Sequence, residues 1–548
     1  SADLDHLGLS SFKRVGYVAS EEESESVSKT LEYAYDDWCI AQMAKAMGQE
    51  ELYNRFITRG QHYKNLLNPE HGFFQARVEH QWFEPFRPEE VNFHYTEANA
   101  WQYGFYVPQD VKRFADYLGG EAKLAEKLDA LFTAPEATSG RHQADITGLI
   151  GQYAHGNEPS HHIAYLYNFV GQPDRTQEIV QAICSDLYTT QPDGLSGNED
   201  CGQMSSWFVF SALGFYPVTP GSVDYILGIP LFEEATIQLE NGKQFVIKAN
   251  RKADSEQYVQ SVTLNGKPHA DTYIKHQDIM NGGELVFVLG DEPSDWGTDP
   301  AHYPNSRIED PNFVATPYIG SGTSTFREHI SISLGQLDQA PVYFTLDGSD
   351  PKSGNVYHDP ILLKQDASLR AIAKGESGNW SPEISRDYRL IDHNYSIQLE
   401  SKYANQYNGG GDQALIDYVR GGQDFRTGAW QGYQGTDLHA IVDLGEVKQL
   451  KSITLSTLQD QRSWIFFPDS VRIETSIDGK SFDDYAAVVN TISEREEGGL
   501  LQDFGADKET IGRFIKIHAK NKRTVPDWHL GAGGKAWLFV DELQIEVE

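Results

Sequence analysis

The spacing of apolar residues changes near residue 220, and this change limits what the chain can fold into. Between residues 25 and 215 apolar side chains recur at helical spacing, as in Val27 to Met43 and Met204 to Leu213. From Gly221 onward, short runs alternate apolar and polar residues between turn-forming residues. The sequence therefore predicts a helical region followed by all-β domains.

The length of 548 residues predicts several domains rather than one. Residues 1–220 form the helical region, and residues 221–295 are predicted to form a β-sandwich that completes it. A segment rich in Asp, Pro and Asn follows, and two further β units are predicted at 310–392 and 395–548. The fold class expected is thus multidomain α plus β.

The chain is strongly acidic, with 45 basic and 80 acidic residues and a net charge of −35. Nucleic acid and anionic membrane surfaces are excluded as partners, because both require a basic face. No apolar run approaches the roughly 20 residues of a membrane-spanning helix. The three cysteines provide no disulfide framework, and we expect all three to be buried as small apolar side chains.

A turn bounded by glycines carries two acids directly before an apolar, helix-like run. Glu199 and Asp200 stand between Gly197 and Gly202, and the run begins near Trp207. Such a turn can present a general base at the rim of a pocket. The alternative is a solvated acidic cap at a helix N-terminus.

A second segment, Tyr95 to Tyr103, places Glu97 among aromatic and amide side chains, including Trp101. Desolvation against aromatic rings raises the pKa of a carboxyl, as a general acid near neutral pH requires. The alternative is an acid at a helix N-terminus without a catalytic role.

A third segment, His155 to His162, offers the oxygen-rich ligands that Ca²⁺ prefers, in Gly156, Asn157 and Glu158. His161 and His162 are adjacent, and neighbouring helical residues point about 100° apart. We therefore do not predict a shared zinc site at this pair.

These segments, in this order and preceded by Ser26 to Trp38, resemble the calcium-dependent, inverting exo-α-mannosidases of glycoside hydrolase family 92. The resemblance runs from about residue 25 to residue 230. It implies that Glu97 is the general acid and Asp200 the general base. It also implies a Ca²⁺ site that includes Glu158 and the backbone oxygens of Gly156 and Asn157.

The resemblance implies mannose-containing glycans, such as N-glycans or mannans, as substrates. The substrate-binding residues predicted are Trp101, Gln152, Tyr153, Asn198 and Glu199. Members that cleave α-1,2 bonds tend to carry a His-Glu pair where this chain has Gln152 and Tyr153, so we expect a linkage specificity that is not strictly α-1,2. Some members carry a second carboxylate where Asn198 stands, which favours Asp200 as a single base.

The family's catalytic unit is a β-sandwich followed by an (α/α)6 barrel of twelve helices. Residues 1–220 are too few for twelve helices of ordinary length, so we expect the second half of the barrel and a C-terminal portion of a longer protein. The first residues carry no basic stretch followed by an apolar one, and we expect an export signal to lie on a part of the protein outside this sequence. An extracytoplasmic location is nevertheless expected for an enzyme that degrades glycans.

The two C-terminal units resemble accessory domains of carbohydrate-active enzymes. Residues 310–392, with Val342 to Pro351, resemble the β-sandwich at the C-terminus of chitobiases, which we interpret as a spacer.

Residues 395–548 resemble a discoidin, or F5/8 type C, β jelly roll akin to family 32 carbohydrate-binding modules. Trp464, Trp528 and His529 are candidates for stacking on sugar, with core packing as the alternative for each tryptophan. Asp417 and Glu542 are candidates for a structural calcium. The alternative function is therefore that of a non-catalytic glycan-binding fragment acting through this domain.

Overall fold

The computed structural model describes residues 7–253 and 255–548. It has the multidomain α plus β architecture predicted from the sequence. Helices dominate its N-terminal region, as α1 to α8: Leu9–Val15, Ser26–Ala46, Glu50–Arg59, Ala100–Tyr103, Val111–Leu118, Glu121–Thr133, Pro173–Asp186 and Gln203–Leu213. Short strands connect them, as β1 to β7: Arg77–Val78, Gln81–Trp82, Glu90–Val91, Ser139–Gly140, Leu149–Ile150, Tyr153–Ala154 and Phe215–Tyr216.

Helix α2 buries one face, with Val27, Leu31, Ala34 and Ala41 inside, while Met43 is exposed although its spacing placed it with the core. The apolar spacing between Leu52 and Leu67 suits one helix, but α3 ends at Arg59 and a 3-10 helix follows over His62–Leu66. The tighter turn buries all five of its side chains. A continuous α-helix would leave part of this polar segment facing water.

The core of the helical region is aromatic and apolar, with Tyr63, Phe74, Tyr153 and Trp207 almost fully buried. A 3-10 helix over Ile163–Val170 lies wholly inside it. The motif segments leave this core at the ends of elements, so their polar side chains can reach solvent while their backbones stay fixed.

A second core forms over residues 215–296 around Phe245, Leu285 and Phe287. Its strands β8 to β14 are Asp224–Leu227, Glu234–Gln238, Gln244–Asn250, Tyr258–Leu264, Lys267–Pro268, Tyr273–Lys275 and Gly283–Gly290, with helix α9 at His276–Met280. The main sheet has the order β12-β11-β14-β10-β9, in which only β10 and β14 are parallel among the described strands.

A third core contains Ile319, Ile332, Leu369 and Ala371. Its strands β15 to β22 are Tyr318–Ser321, Thr325–Phe326, Ile330–Gly335, Val342–Thr345, Asn355–Val356, Ile361–Leu363, Ala367–Ala373 and Ile384–Leu390. One of its sheets, β1-β2-β15-β17-β20, includes strands of the helical region. Arg77 is buried at this junction against the rings of Trp82 and Tyr318 and donates to Pro317 O at 3.1 Å.

The C-terminal region forms one seven-stranded sheet system around Leu455, Ile473, Ile515 and Val540. Its strands β23 to β29 are Ser396–Leu399, Gln431–Gln434, Leu438–Gln459, Ser470–Ser476, Asp483–Val489, Leu500–Lys520 and Trp537–Val547. The long strands β25 and β28 pair along most of their length.

The cysteines do not all behave as predicted. Cys184 is buried, Cys39 is half-buried and Cys201 is exposed in the turn before α8, and all three are free thiols. Cys201 has a left-handed backbone, with a φ of 57°, in this turn. In the described part of the chain, no helix is long and apolar enough to cross a membrane.

Candidate active site

Glu97 is exposed at the tip of a turn whose two sides are anchored. Its φ of 51° is left-handed, a conformation that a non-glycine residue adopts only when its surroundings hold it. Before it, the Thr96 amide donates to Ser28 Oγ at 2.8 Å. After it, Asn99 and Gln102 form a reciprocal capping box at the start of α4.

Gln152 supports this turn from the interior. Its Oε1 accepts from Asn99 Nδ2 at 2.9 Å, and its Nε2 donates to Pro135 O at 2.6 Å and Ala137 O at 3.2 Å. Gln152 is 1% exposed and Tyr153 is fully buried. The structure thus places both predicted substrate contacts in the core, because the turn that carries Gln152 and the strand that begins at Tyr153 pack against the aromatic cluster. The partly buried Trp101 packs edge-on against Phe73 with centroids 4.8 Å apart.

The predicted calcium segment lies against the Glu97 turn and the acidic turn. Asn157 Nδ2 donates to Glu97 O at 3.1 Å. A Cβ added at Gly156 would lie 1.9 Å from Thr147 Oγ1, and one at Gly197 would lie 3.1 Å from Gly156 Cα. Only glycine at both positions allows the two backbones to approach so closely.

Three successive residues with positive φ shape the turn before α8: Asp200 at 50°, Cys201 at 57° and Gly202 at 94°. The Glu199 carboxylate accepts from the Gly202 amide and from the Ser205 amide, the latter at 3.1 Å. Glu199 therefore caps the helix N-terminus, and the bonds from Ser205 hold its pKa below the usual value. Asp200 is exposed, and its carboxylate does not cap the helix.

Five carboxyl groups interact electrostatically around the Glu97 turn. Although the Glu97 side chain reaches solvent, partial desolvation raises its pKa, and the negative charges of Asp145, Glu158, Glu25 and Asp200 raise it further. The pKa of Glu158 is raised by burial, and also by the charge of Asp200 and a side-chain hydrogen bond with it. The charges that shift these two pKa values are all negative.

Asp145 belongs to this group, although no motif in the sequence singles it out. Its Oδ1 accepts from Asn198 Nδ2 at 3.1 Å, and its Oδ2 accepts from Gln143 Nε2 at 2.6 Å. Asn198 is thus engaged with Asp145 beside the acidic turn. A lone acid in a polar loop carries no motif, so only the fold identifies it.

A cleft of about 310 Å³ opens beside Glu158. Its lining combines rings with hydrogen-bonding groups, among them Tyr35, Tyr106, His161, His162, Gln203 and Tyr216. Behind it Glu32, whose pKa is raised by burial, accepts from Tyr103 Oη at 3.2 Å. This mixture of aromatic surface and polar donors suits a sugar ring.

His161 and His162 serve the fold. His161 Nε2 donates to His155 O at 2.9 Å, and His162 Nε2 donates to Phe105 O at 2.8 Å. Burial lowers the pKa of each to about 4, so both rings are neutral near pH 7. Each ring thus has a separate partner.

The C-terminal aromatic candidates gather on one loop surface. Trp464 is 37% exposed and packs over the backbone of Gly531 and Gly534. Trp528 Nε1 donates to Glu494 Oε1 at 2.6 Å. His529 contacts the Trp528 ring edge-on at 5.4 Å, and its Nδ1 accepts from the Gly531 amide.

Asp417 and Glu542, the candidates for a structural calcium in the C-terminal domain, lie close to Asp541. Glu542 is 3% exposed and accepts from the amides of Asp417 and Tyr418 at 3.3 and 3.2 Å. Burial raises the pKa of Glu542 to about 9 and that of Asp417 to about 6.

Family models match most of the chain. Residues 2–291 match the glycosyl hydrolase family 92 catalytic domain, residues 330–388 an Fn3-associated domain, and residues 396–534 an F5/8 type C domain. The family 92 and F5/8 type C resemblances predicted from the motifs are confirmed. The Fn3-associated match covers the unit for which we predicted a chitobiase-like sandwich.

Solved structures give the same picture. A family GH92 α-mannosidase from Bacteroides thetaiotaomicron in complex with mannoimidazole is 39% identical, with a TM-score of 0.54, over 56% of this chain and 41% of that one. A family GH92 inverting mannosidase from the same organism is 35% identical, with a TM-score of 0.50, over 55% and 42%. An uncharacterized secreted glycosidase of Arthroderma benhamiae is 29% identical over 335 residues, which are 55% of this chain and 41% of that protein. The chain spans about two fifths of the length of these relatives.

Proposed function

Because this chain belongs to glycoside hydrolase family 92, we propose that it carries the catalytic carboxylates of a calcium-dependent, inverting exo-α-mannosidase. The observation that carries the proposal is the electrostatic grouping of Glu97, Glu158 and Asp200, which come from three separate segments, next to the cleft that Glu158 lines. Similarity to solved α-mannosidases of the same family supports the choice of sugar.

Glu97 is assigned as the general acid. Partial desolvation and four neighbouring negative charges favour its protonated form, which can give a proton to the departing glycosidic oxygen. Asp200 is assigned as the general base that removes a proton from the attacking water. Inversion then requires the two carboxyls to stand roughly 6.5–9.5 Å apart on opposite faces of the sugar.

The donor set beside these acids fits Ca²⁺. Glu158, Asn157 and the backbone oxygen of Gly156 would hold the ion, because they offer oxygen ligands in a setting of uncompensated negative charge. When bound, the ion would supply a positive charge that grips sugar hydroxyls. The residues of this chain do the rest: Asn157 orients the Glu97 turn, and Glu199 fixes the start of α8 beneath Asp200.

We propose mannose-containing glycans, such as N-glycans or mannans, as substrates, with a linkage specificity that is not strictly α-1,2. Gln152 and Tyr153 stand where α-1,2 members carry a His-Glu pair, and both are enclosed by the core. They therefore cannot select a second sugar by direct contact. An extracytoplasmic location agrees with the secreted relative.

The test is mannose release from a panel of α-linked mannobioses, with Ca²⁺ or with EDTA, by this chain and by any longer product of the same gene. Glu97→Gln should lower the rate by about 10²–10⁴-fold. Glu136→Gln, an exposed acid of the same region, is the matched control. Equal rates for Glu97→Gln and the control, or no response to EDTA, would overturn the assignment.

A second function, glycan binding through the C-terminal jelly roll, is favoured by the exposed ring of Trp464 beside Trp528 and His529. An aromatic face that backbone supports on one side only can stack on a sugar. Trp464→Ala should abolish calorimetric binding of a glycan panel, while Trp380→Ala in the preceding unit should leave it unchanged. A flat trace for the unaltered chain would reject this function.

The same domain offers a second calcium site at Asp417, Asp541 and Glu542. The buried carboxyls of Asp541 and Glu542 share this place with the half-buried carboxyl of Asp417, and desolvation raises the pKa of each. The donors to the Glu542 carboxylate are the backbone amides of Asp417 and Tyr418, which carry no net charge. A bound cation would therefore reduce the repulsion among the three carboxylates, which these hydrogen bonds leave in place.

A further inference from the structure

Two histidines face one another on adjacent strands of the C-terminal sheet. His439 on β25 and His518 on β28 are directly paired in the antiparallel ladder. Their imidazole rings stack with centroids 4.1 Å apart and an interplanar angle of 16°. Both residues are half-exposed.

Asp437 adds a carboxylate to the same face, two residues before His439. Its Oδ2 lies 3.3 Å from His518 Nε2, and its Oδ1 accepts from the Asn521 amide at 3.0 Å. One ligand atom from each of Asp437, His439 and His518 lies within 4.8 Å of the others. Within residues 7–253 and 255–548, this is the one group of three His, Cys, Asp or Glu side chains that meets that criterion.

We propose that Asp437, His439 and His518 bind a borderline transition-metal dication, with Zn²⁺ as the representative ion. Two imidazole nitrogens and one carboxylate oxygen are zinc donors, whereas Ca²⁺ takes six to eight oxygens. Zinc–ligand bonds of about 2.0–2.1 Å place ligand atoms roughly 3.4 Å apart. The rings must therefore turn inward on binding, and the open side leaves a fourth position for water.

One charged group competes for this place. Arg523 Nη2 lies 2.7 Å from Asp437 Oδ2, but the Arg523 side chain is 61% exposed and can turn into solvent. The metal and this guanidinium therefore exclude one another, and removal of Arg523 should strengthen metal binding.

The other nearby cations are already paired. Arg472, which is opposite His518 on β26, lies 2.6 Å from Asp484. Lys520, two residues beyond His518, lies 3.4 Å from Asp469. A bound dication would thus displace a single exposed positive charge.

The test is calorimetric titration of the whole chain, stripped with EDTA and dialysed, with ZnCl₂ at pH 7.5. We expect one Zn²⁺ to bind per chain at this site. Prior addition of CaCl₂ should not prevent that binding. His518→Gln and His439→Gln should each weaken binding by tenfold or more, and Arg523→Ala should tighten it severalfold. His358→Gln, which removes an exposed histidine of another unit, should change nothing.

A protonated imidazole cannot ligate, so the affinity should also fall at least tenfold between pH 7.5 and pH 5.5. Circular dichroism of each variant establishes that it is folded. If one histidine variant does not fold, the other still tests the proposal. The proposal is overturned if the unaltered chain takes up no zinc. It is overturned equally if the histidine variants bind zinc as well as His358→Gln does, which would leave the cluster as an Arg–Asp–His hydrogen-bond network.

Discussion

The side-chain amide of Asn157 donates a hydrogen bond to the backbone carbonyl of Glu97, across 3.1 Å and sixty residues of sequence. This bond joins the proposed calcium segment to the proposed acid. Glu97 has a left-handed backbone, so contacts outside its own turn must hold it there. Asn157 is therefore a positioning residue for the Glu97 turn.

Asn157→Ala should destabilise the chain by about 1–3 kcal/mol, because the Glu97 carbonyl loses its donor and a partly buried group is left unpaired. Urea unfolding in EDTA measures this change without any contribution from bound metal. Asn54→Ala, at an exposed position of α3, is the control. Equal stability of the two variants would show that the bond does not hold the turn.

Gly156 should be intolerant of even one added carbon. A Cβ there would lie 1.9 Å from Thr147 Oγ1 and 3.2 Å from Ser196 O. Gly156→Ala should cost about 1–3 kcal/mol as an overpacked site. Because the clash is with the hydroxyl, adding Thr147→Ala should recover part of the loss, as a double-mutant cycle would measure. Strict additivity of the two changes would contradict this explanation.

Asp145→Asn should lower the pKa of Glu97, since it removes the neighbouring negative charge that has the strongest effect on that pKa. Glu25→Gln removes a more weakly acting charge and should lower that pKa by less. A ¹³C NMR titration of the glutamate carboxyls without metal measures both, with Glu97→Gln to assign the signal. An upward movement in Asp145→Asn, or a larger effect of Glu25→Gln, would count against the electrostatic cluster.

The motifs were visible in the sequence because each concentrates its chemistry in a few adjacent residues. Glu97, Glu158 and Asp200 were found this way, and so was the change from helices to strands near residue 220. Gln152 and Tyr153 show where this reasoning ends. A turn residue and the strand residue that follows it reach the surface or the core according to what packs around them, and here aromatic packing encloses both.

Asp145 and Arg77 illustrate a second limit. Asp145 acquires its place only when two loops fifty-three residues apart come together through Asn198. Arg77, a charged residue in a polar stretch, is almost fully buried because β2 pairs with a strand that begins at Tyr318. Long-range pairing of this kind leaves no local pattern in the sequence.

The buried acids of the jelly roll make a prediction about pH and calcium. In the fold the pKa of Glu542 is about 9 and that of Asp417 about 6, both raised chiefly by burial. A carboxyl whose pKa is raised by folding stabilises the fold fully below its unfolded pKa, and the contribution is lost as pH rises through the folded value. Without metal, the thermal unfolding temperature of this domain should therefore decrease as the pH is raised from about 5 to about 9.

Calcium should act in the opposite direction, because it binds the deprotonated carboxylates and binds them more tightly as pH rises. The difference between midpoints measured in CaCl₂ and in EDTA should thus widen from pH 5 to pH 9. Glu542→Gln should remove most of the pH dependence and of the calcium effect, whereas Glu509→Gln, exposed on β28, should keep both. Scanning calorimetry across this range decides the matter: coincident midpoints with and without calcium at pH 9 would mean that the buried acids are held by the protein alone.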